Sequence, residues 1–179
     1  MINQTSSQPG ATIPPDDPDR RLSVSDPDDP KLRHVAVASG TYTILLSGAE
    51  TNGRYCLIDM LVPDGGGPPP HRHDFEEMFT LLEGEIEFTF RGETLDVAAG
   101  ASLNIPSNAP HSFKNKSGKT ARLLCLCTPA GQEEFFMEVG VPVASRTASA
   151  PKLTKDEEEA SIKKAVALAP RYRTELLRP

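Results

Sequence analysis

Three of the four histidines and one glutamate occur at spacings that suit a metal site. His71 and His73 are two residues apart, so on a β-strand both side chains lie on the same face. Glu77 is again an even number of residues away and returns to that face if the strand stays regular. Imidazole and carboxylate together suit a borderline-hard divalent ion, and His111 in a second segment would add a third imidazole. Such a set leaves coordination positions open, as a catalytic metal requires.

Both segments belong to a region whose sequence predicts β-structure. From residue 34 to residue 128, short β-like runs follow one another at intervals of roughly 8–12 residues and are separated by Gly, Pro and Asn. This spacing is typical of an all-β sandwich or barrel. The alternation is clearest where Ile86, Phe88 and Phe90 share one face. Just before them, the step at Gly84 predicts a tight hairpin between two strands.

The flanking sequences differ from this region in composition and hydrophobic pattern, so we divide the chain into three parts. Residues 1–33 are a Pro- and Asp-rich arm that breaks helices and shows no strand period. Residues 34–130 are the β-barrel, and residues 131–179 are a C-terminal helical segment. Within the last part, Thr154 and Glu157 predict a capping box ahead of an apolar helical repeat.

Charge and composition exclude several classes of protein. The net charge of −6 arises mainly in the arm, since residues 1–30 contribute −4, and no basic patch for nucleic acid is visible. No run of 18 apolar residues occurs, which excludes a membrane helix, and the first residues do not form a secretory signal. Three cysteines do not make a disulfide scaffold and fit a reducing compartment. We therefore expect a cytoplasmic protein that binds neither nucleic acid nor membrane.

The two histidine-bearing stretches resemble the paired motifs of the cupin superfamily. The first stretch fits at every spaced position: Gly65, His71, His73, Glu77 and Gly84. The second stretch fits at four positions: Gly100, Pro106, His111 and Asn115. Asn108 stands where the family usually has a turn glycine, and Asn is the residue that best replaces glycine in the left-handed region.

The resemblance implies an all-β fold, a small jelly-roll barrel between an extended N-terminal arm and a C-terminal helical appendage. It also implies that His71, His73, Glu77 and His111 bind one divalent transition metal. The ligand types accept Mn, Fe, Co, Ni, Cu or Zn and do not select among them.

Within the superfamily the chain looks most like single-domain quercetinase-type cupins, because residues 131–143 and the ending also resemble theirs. This likeness implies a dioxygenase that opens a flavonol-like or other enolic, aromatic small molecule with O₂. Glu77 would then be both a ligand and the catalytic proton acceptor. Phe79, Phe113 and Phe135 would form the substrate-binding pocket.

Other interpretations of the same residues stay open. The protein could be a metal-dependent sugar or keto-acid isomerase or epimerase, or a non-catalytic binding cupin. The three phenylalanines could instead be plain core packing. Cys125 and Cys127 share a strand face and are read as small core residues more readily than as ligands. Exposed strand edges and an apolar C-terminal helix face predict a homodimer.

Overall fold

The computed structural model describes residues 12–177, and its strands form two antiparallel sheets. In chain order the strands are β1 (Arg33–Val37), β2 (Gly40–Leu46), β3 (Cys56–Val62), β4 (His71–His73), β5 (Glu76–Glu83), β6 (Glu85–Phe90), β7 (Glu93–Ala98), β8 (Ser102–Ile105), β9 (His111–Lys114), β10 (Ala121–Thr128), β11 (Val141–Pro142) and β12 (Thr174–Leu176). One sheet has the order β11-β1-β2-β3-β10-β5-β8, and the other has the order β12-β4-β9-β6-β7. This arrangement confirms the predicted all-β jelly roll.

Within residues 12–177, three α-helices and one 3₁₀ helix accompany the sheets. They are α1 (Gly48–Thr51), α2 (Gln132–Val139), α3 (Lys155–Leu168) and the 3₁₀ helix Ala169–Tyr172. The predicted capping box is present at the start of α3, where Thr154 and Glu157 cap each other's backbone N–H groups. None of the helices in the described part of the chain is long and apolar enough to cross a membrane.

Strict alternation along the central strands builds the core. In β10, Leu123, Cys125 and Cys127 are fully buried, while the residues between them are partly exposed. β10 lies between β3 and β5, so its inward side chains reach the middle of the larger sheet. Period-two patterning therefore puts one face of each sheet into a shared interior.

The hairpin predicted at Gly84 is wrong. β5 pairs with β10 and β8, whereas β6 pairs with β7 and β9, so the strands on either side of Gly84 lie in different sheets. Gly84 does have the positive φ of a turn, 76°, but it packs against Ala121. A turn signal in the sequence gives the change of direction and does not specify the partner strand.

The terminal parts of the chain pack onto the sheets. Residues 12–32 contain no helix or strand, yet Ser25 donates a hydrogen bond to the Leu45 carbonyl, and Asp28 forms an ion pair with Arg146 at 2.9 Å. Beyond α2, β11 pairs with β1 and β12 pairs with β4, so the C-terminal segment also supplies a strand to each sheet. The three-part division of the chain stays a prediction.

An apolar part of α3 faces outward in the single chain. Ile162 and Val166 are 62% and 53% exposed. The predicted homodimer remains a prediction, since a single chain does not test it.

The Gly65–Gly67 segment lies against β9, and its last residue meets that strand most closely. An added Cβ on Gly67 would lie 2.1 Å from the Phe113 carbonyl oxygen, and the φ of Gly67 is +136°. Gly65 also has a positive φ, +78°, but a Cβ there meets nothing within 4 Å. Only Gly67 combines a strained φ with a steric clash.

We therefore expect Gly67→Ala to reduce the free energy of unfolding by roughly 2–5 kcal/mol, because backbone strain and overpacking add. Gly65→Ala should cost only about 1–2 kcal/mol, from strain alone. Urea unfolding of both variants and the wild type gives the comparison. Equal losses would mean that the contact with Phe113 is not what requires glycine.

Candidate metal centre

The four predicted ligands come from both sheets and meet in the interior. His71 and His73 are the inward residues of β4, and His111 begins the neighbouring β9, directly opposite His71. Glu77 lies on β5 of the other sheet. All four side chains are buried, and Arg72, between the two histidines, is exposed. Strand period therefore selects which side chains reach the site.

A loop contact ties the two ligand-bearing segments together. The backbone N–H of Asn108 donates to the His73 carbonyl at 2.6 Å. Asn108 has a φ of 65°, which confirms the left-handed turn expected there. Asn115, fully buried at the end of β9, donates to the carbonyls of Val62 and Lys119. These polar contacts fix the loops on both sides of His111.

Each histidine ring is oriented by a backbone carbonyl. The Nδ1 atoms of His71, His73 and His111 lie 3.0, 2.9 and 2.9 Å from carbonyl oxygens two residues away. Because a carbonyl only accepts, each Nδ1 carries the proton, and the neutral ring has a free lone pair at Nε2. Contacts of this kind are typical of metal-binding histidines, where they fix the tautomer and the ring orientation.

The free lone pairs converge on one carboxylate. Glu77 Oε2 lies 3.2 Å from His73 Nε2 and 3.1 Å from His111 Nε2. The ligand atoms of all four residues lie within 4.8 Å of one another. Two nitrogen lone pairs aimed at an anionic oxygen repel it unless a proton or a cation lies between them. The donor set therefore fits a divalent transition metal.

The electrostatics of the cluster favour charge on the glutamate and a neutral His71. Burial alone would raise the pKa of Glu77, but the hydrogen bonds that His111 and His73 donate from Nε2 when their rings are protonated hold it well below its usual range. Burial, with His111 nearby, lowers the pKa of His71 to about 4. A carboxylate and a neutral imidazole are the forms in which these residues bind metal.

Comparison with known proteins agrees with this geometry. Residues 58–127 match the family model of the cupin domain, and this range contains all four side chains of the cluster. Residues 58–127 therefore form a cupin domain. The polyketide cyclase RemF from Streptomyces resistomycificus has a similar fold, with a TM-score of 0.50 and 23% identity, over 77% of this chain and 93% of that chain.

Two curated relatives match smaller parts of the chain. The HTH-type transcriptional regulator PuuR from Escherichia coli K12 is 41% identical over 58 residues, which are 32% of this chain and 31% of PuuR. Quercetin 2,3-dioxygenase from Bacillus subtilis is 28% identical over 101 residues, 56% of this chain and 30% of that protein. The chain thus spans about a third of the length of each. Their names describe a regulator and an oxygenase, so the shared domain alone does not select a function.

A cavity of about 1060 Å³ adjoins the cluster and is bordered by His71 and Glu77. The three phenylalanines predicted to bind substrate also border it: Phe79, Phe113 and Phe135. Phe79 and Phe113 pack edge to face with their ring centroids 5.4 Å apart, and both are buried, so they are core residues as well. Their contact with a substrate stays a prediction.

The sequence did not indicate what surrounds the second oxygen of Glu77. The Cys125 and Cys127 thiols lie 3.3 and 3.8 Å from Oε1 and 3.6 Å from each other. The neighbouring Cys127 lowers the pKa of Cys125, but burial and the nearby Glu77 raise it to about 12. The Cys125 thiol therefore keeps its proton and donates a hydrogen bond to Glu77. The two cysteines are small core residues, as predicted, but they also complete the environment of the carboxylate. Their shared strand face was visible in the sequence, whereas the pairing of Cys127 with Glu77 across β10 and β5 was not.

We expect Cys125→Ala to lower the free energy of unfolding by about 1–3 kcal/mol, because it leaves a buried carboxylate oxygen with one fewer donor. Cys56→Ala is the matched control, since Cys56 is also fully buried but lies opposite Cys127 on β3. Chemical denaturation of metal-free protein measures both. Equal losses would show that only packing volume matters at Cys125.

Proposed function

We propose that the protein is a metal-dependent dioxygenase that cleaves a flavonol-like or other enolic, aromatic small molecule with O₂. The observation that carries the proposal is the position of Glu77, a buried carboxylate that belongs to the cluster and also borders the aromatic cavity. The partial identity to a quercetin dioxygenase supports the same reaction class.

The proposed metal ligands are His71, His73, Glu77 and His111. A divalent metal bound there would polarise a substrate oxygen and lower the pKa of the substrate hydroxyl. The three Nδ1–carbonyl contacts hold the rings ready for binding, so little side-chain freedom is lost when the metal binds.

Glu77 is proposed to accept the proton of the substrate hydroxyl. Oε1 already accepts hydrogen bonds from the thiols, whereas Oε2 has a free lone pair when the histidines are neutral. The proton therefore passes from the hydroxyl oxygen of the substrate to Oε2. Glu77 is itself buried, which strengthens this electrostatic interaction.

The walls of the cavity suit a flat guest. Its volume lies at the upper end of the range for sites of drug-sized ligands, and Phe79, Phe113 and Phe135 offer aromatic surface. Burial, reinforced by Cys125 and Glu77 nearby, raises the pKa of Tyr42, which also borders the cavity. Its phenol therefore stays protonated and can donate a hydrogen bond to a carbonyl or ether oxygen of the guest.

We expect His111→Ala to weaken metal binding more than 10–100-fold, roughly the loss that is typical when a residue that hydrogen-bonds to a metal ligand is removed. The loss of a ligand itself should cost more. The fold should persist, because the barrel is held by apolar burial. His34→Ala is the control: His34 is the fourth histidine, it is buried, and it contacts Thr43 on β2. Elemental analysis after purification without metal-affinity steps gives metal per chain. Full occupancy in His111→Ala would contradict the ligand assignment.

We expect Glu77→Gln to keep much of its metal at saturating supply, since three imidazoles remain, but to lose about 10²–10⁴ in turnover per bound metal. The amide cannot accept the substrate proton. Metal content and flavonol-dependent O₂ uptake are measured on the same sample.

Two results would count against these roles. Activity per bound metal equal to that of the wild type would leave Glu77 as a ligand only. Tight metal binding by the wild type with no O₂ uptake over a panel of flavonols and other enols would indicate a non-catalytic binding protein.

A further inference from the structure

One residue on the inner face of α2 differs in polarity from its neighbours. Gln132, Phe135, Phe136 and Val139 follow the spacing i, i+3, i+4 and i+7, and all four border the cavity. This spacing puts them on one face of the helix, which is otherwise apolar. Gln132 thus introduces an amide into an apolar wall.

The Gln132 amide is buried without full hydrogen bonding. The residue is 4% exposed, and its Oε1 has no hydrogen-bond partner among residues 12–177. The adjacent Glu133 is also buried, but its carboxylate accepts hydrogen bonds from the backbone N–H groups of Gly48 and Gly131, both at 2.7 Å. Glu133 therefore has a structural role. The Gln132 oxygen has no hydrogen-bond partner, so its burial lowers the free energy of unfolding and brings no compensating contact.

The residues around Gln132 indicate which kind of ligand could form the missing hydrogen bond. Phe135 and Phe136 lie one turn along the helix, and Phe136 packs edge to face on Tyr42 with ring centroids 5.0 Å apart. An amide beside aromatic rings fits a flat ring system with a polar group on its edge. An unpaired carbonyl oxygen requires an O–H or N–H donor. In the ligand-free chain the Gln132 Oε1 atom is covered, so the terminal amide must rotate to present one of its ends to a ligand in the cavity.

We propose that Gln132 hydrogen-bonds a ring hydroxyl of the ligand, other than the group that faces Glu77, so that the cavity selects polyhydroxylated aromatic molecules. The proposal rests on the proposed function, because it specifies which flavonol-like molecules the cavity prefers. Gln132 acts on binding and selectivity and has no part in proton transfer.

Two probes separate this contact from the rest of the site. Kaempferol and 3-hydroxyflavone share the same hydroxyl–ketone edge, but only kaempferol carries further ring hydroxyls. Their dissociation constants are measured by fluorescence titration of Co²⁺-saturated protein without O₂, so that no turnover occurs. The wild type should bind kaempferol about tenfold more tightly than 3-hydroxyflavone, and Gln132→Leu should bring the ratio close to one.

The ligand-free protein provides a second readout. Replacing an unpaired buried amide by leucine should raise the melting temperature by roughly 2–4 °C, because an unfavourable polar burial is removed. A purely structural glutamine would give the opposite sign. Glu134→Gln is the matched control on the same turn, since Glu134 is exposed. It should leave the binding ratio unchanged, and it should not raise the melting temperature, because it removes a favourable negative charge from the first turn of α2.

The outcomes distinguish this inference from the function on which it rests. If the wild type binds and oxidises both flavonols but does not discriminate between them, or if Gln132→Leu keeps the wild-type ratio, the role of Gln132 is refuted and the dioxygenase proposal stands. If neither flavonol binds to the wild type, the selection of polyhydroxylated flavonols by Gln132 is refuted, and the dioxygenase proposal is decided separately by O₂ uptake over the panel of other enols.

Discussion

The structure is organised around one buried carboxylate. Glu77 is 3% exposed in the middle of an apolar barrel, and burying an unpaired charge there would cost several kcal/mol. Each of its oxygens is therefore surrounded by polar atoms: Oε2 by the histidines of the smaller sheet and Oε1 by the thiols of β10. The stability of the barrel interior and the proposed chemistry depend on the same group.

The histidines are held in place by the backbone rather than by other side chains. Each Nδ1 contacts a nearby carbonyl, and the His73 ring also stacks on Phe75 with centroids 3.9 Å apart. These carbonyls, of Pro69, Phe75 and Ala109, lie in the short segments next to the strands that bear the ligands, so the rings keep their tautomer and direction without a metal present. Turn residues such as Gly67 and Asn108 position this backbone. The positive φ that each of them adopts is therefore needed for the geometry of the site, although neither side chain is a ligand.

Period-two spacing was enough to predict that His71 and His73 share a face, because that relation is local to one strand. Relations between strands were harder to obtain from the sequence. The turn at Gly84 was recognised, but the chain passes there from one sheet to the other, and no local signal distinguishes that path from a hairpin. The contact between Cys125 and Glu77 depends on the pairing of β10 with β5 across 48 residues of sequence. The polar position of Gln132 was visible, but only the fold shows that its helix face borders a cavity.

The lining of the cavity comes from different parts of the chain, and this division bears on how a cupin domain acquires a particular activity. The ligand cluster belongs to the paired sheets, where a change in any strand disturbs both the core and the carboxylate. Another part of the lining comes from α2, whose inward side chains contact the cavity without contributing to either sheet. Substitutions on that helix face can alter which molecule is held while the cluster keeps its geometry. Relatives that share the cupin domain but are named as a regulator and an oxygenase are consistent with such a division, because the domain supplies a site and the surrounding walls determine its use.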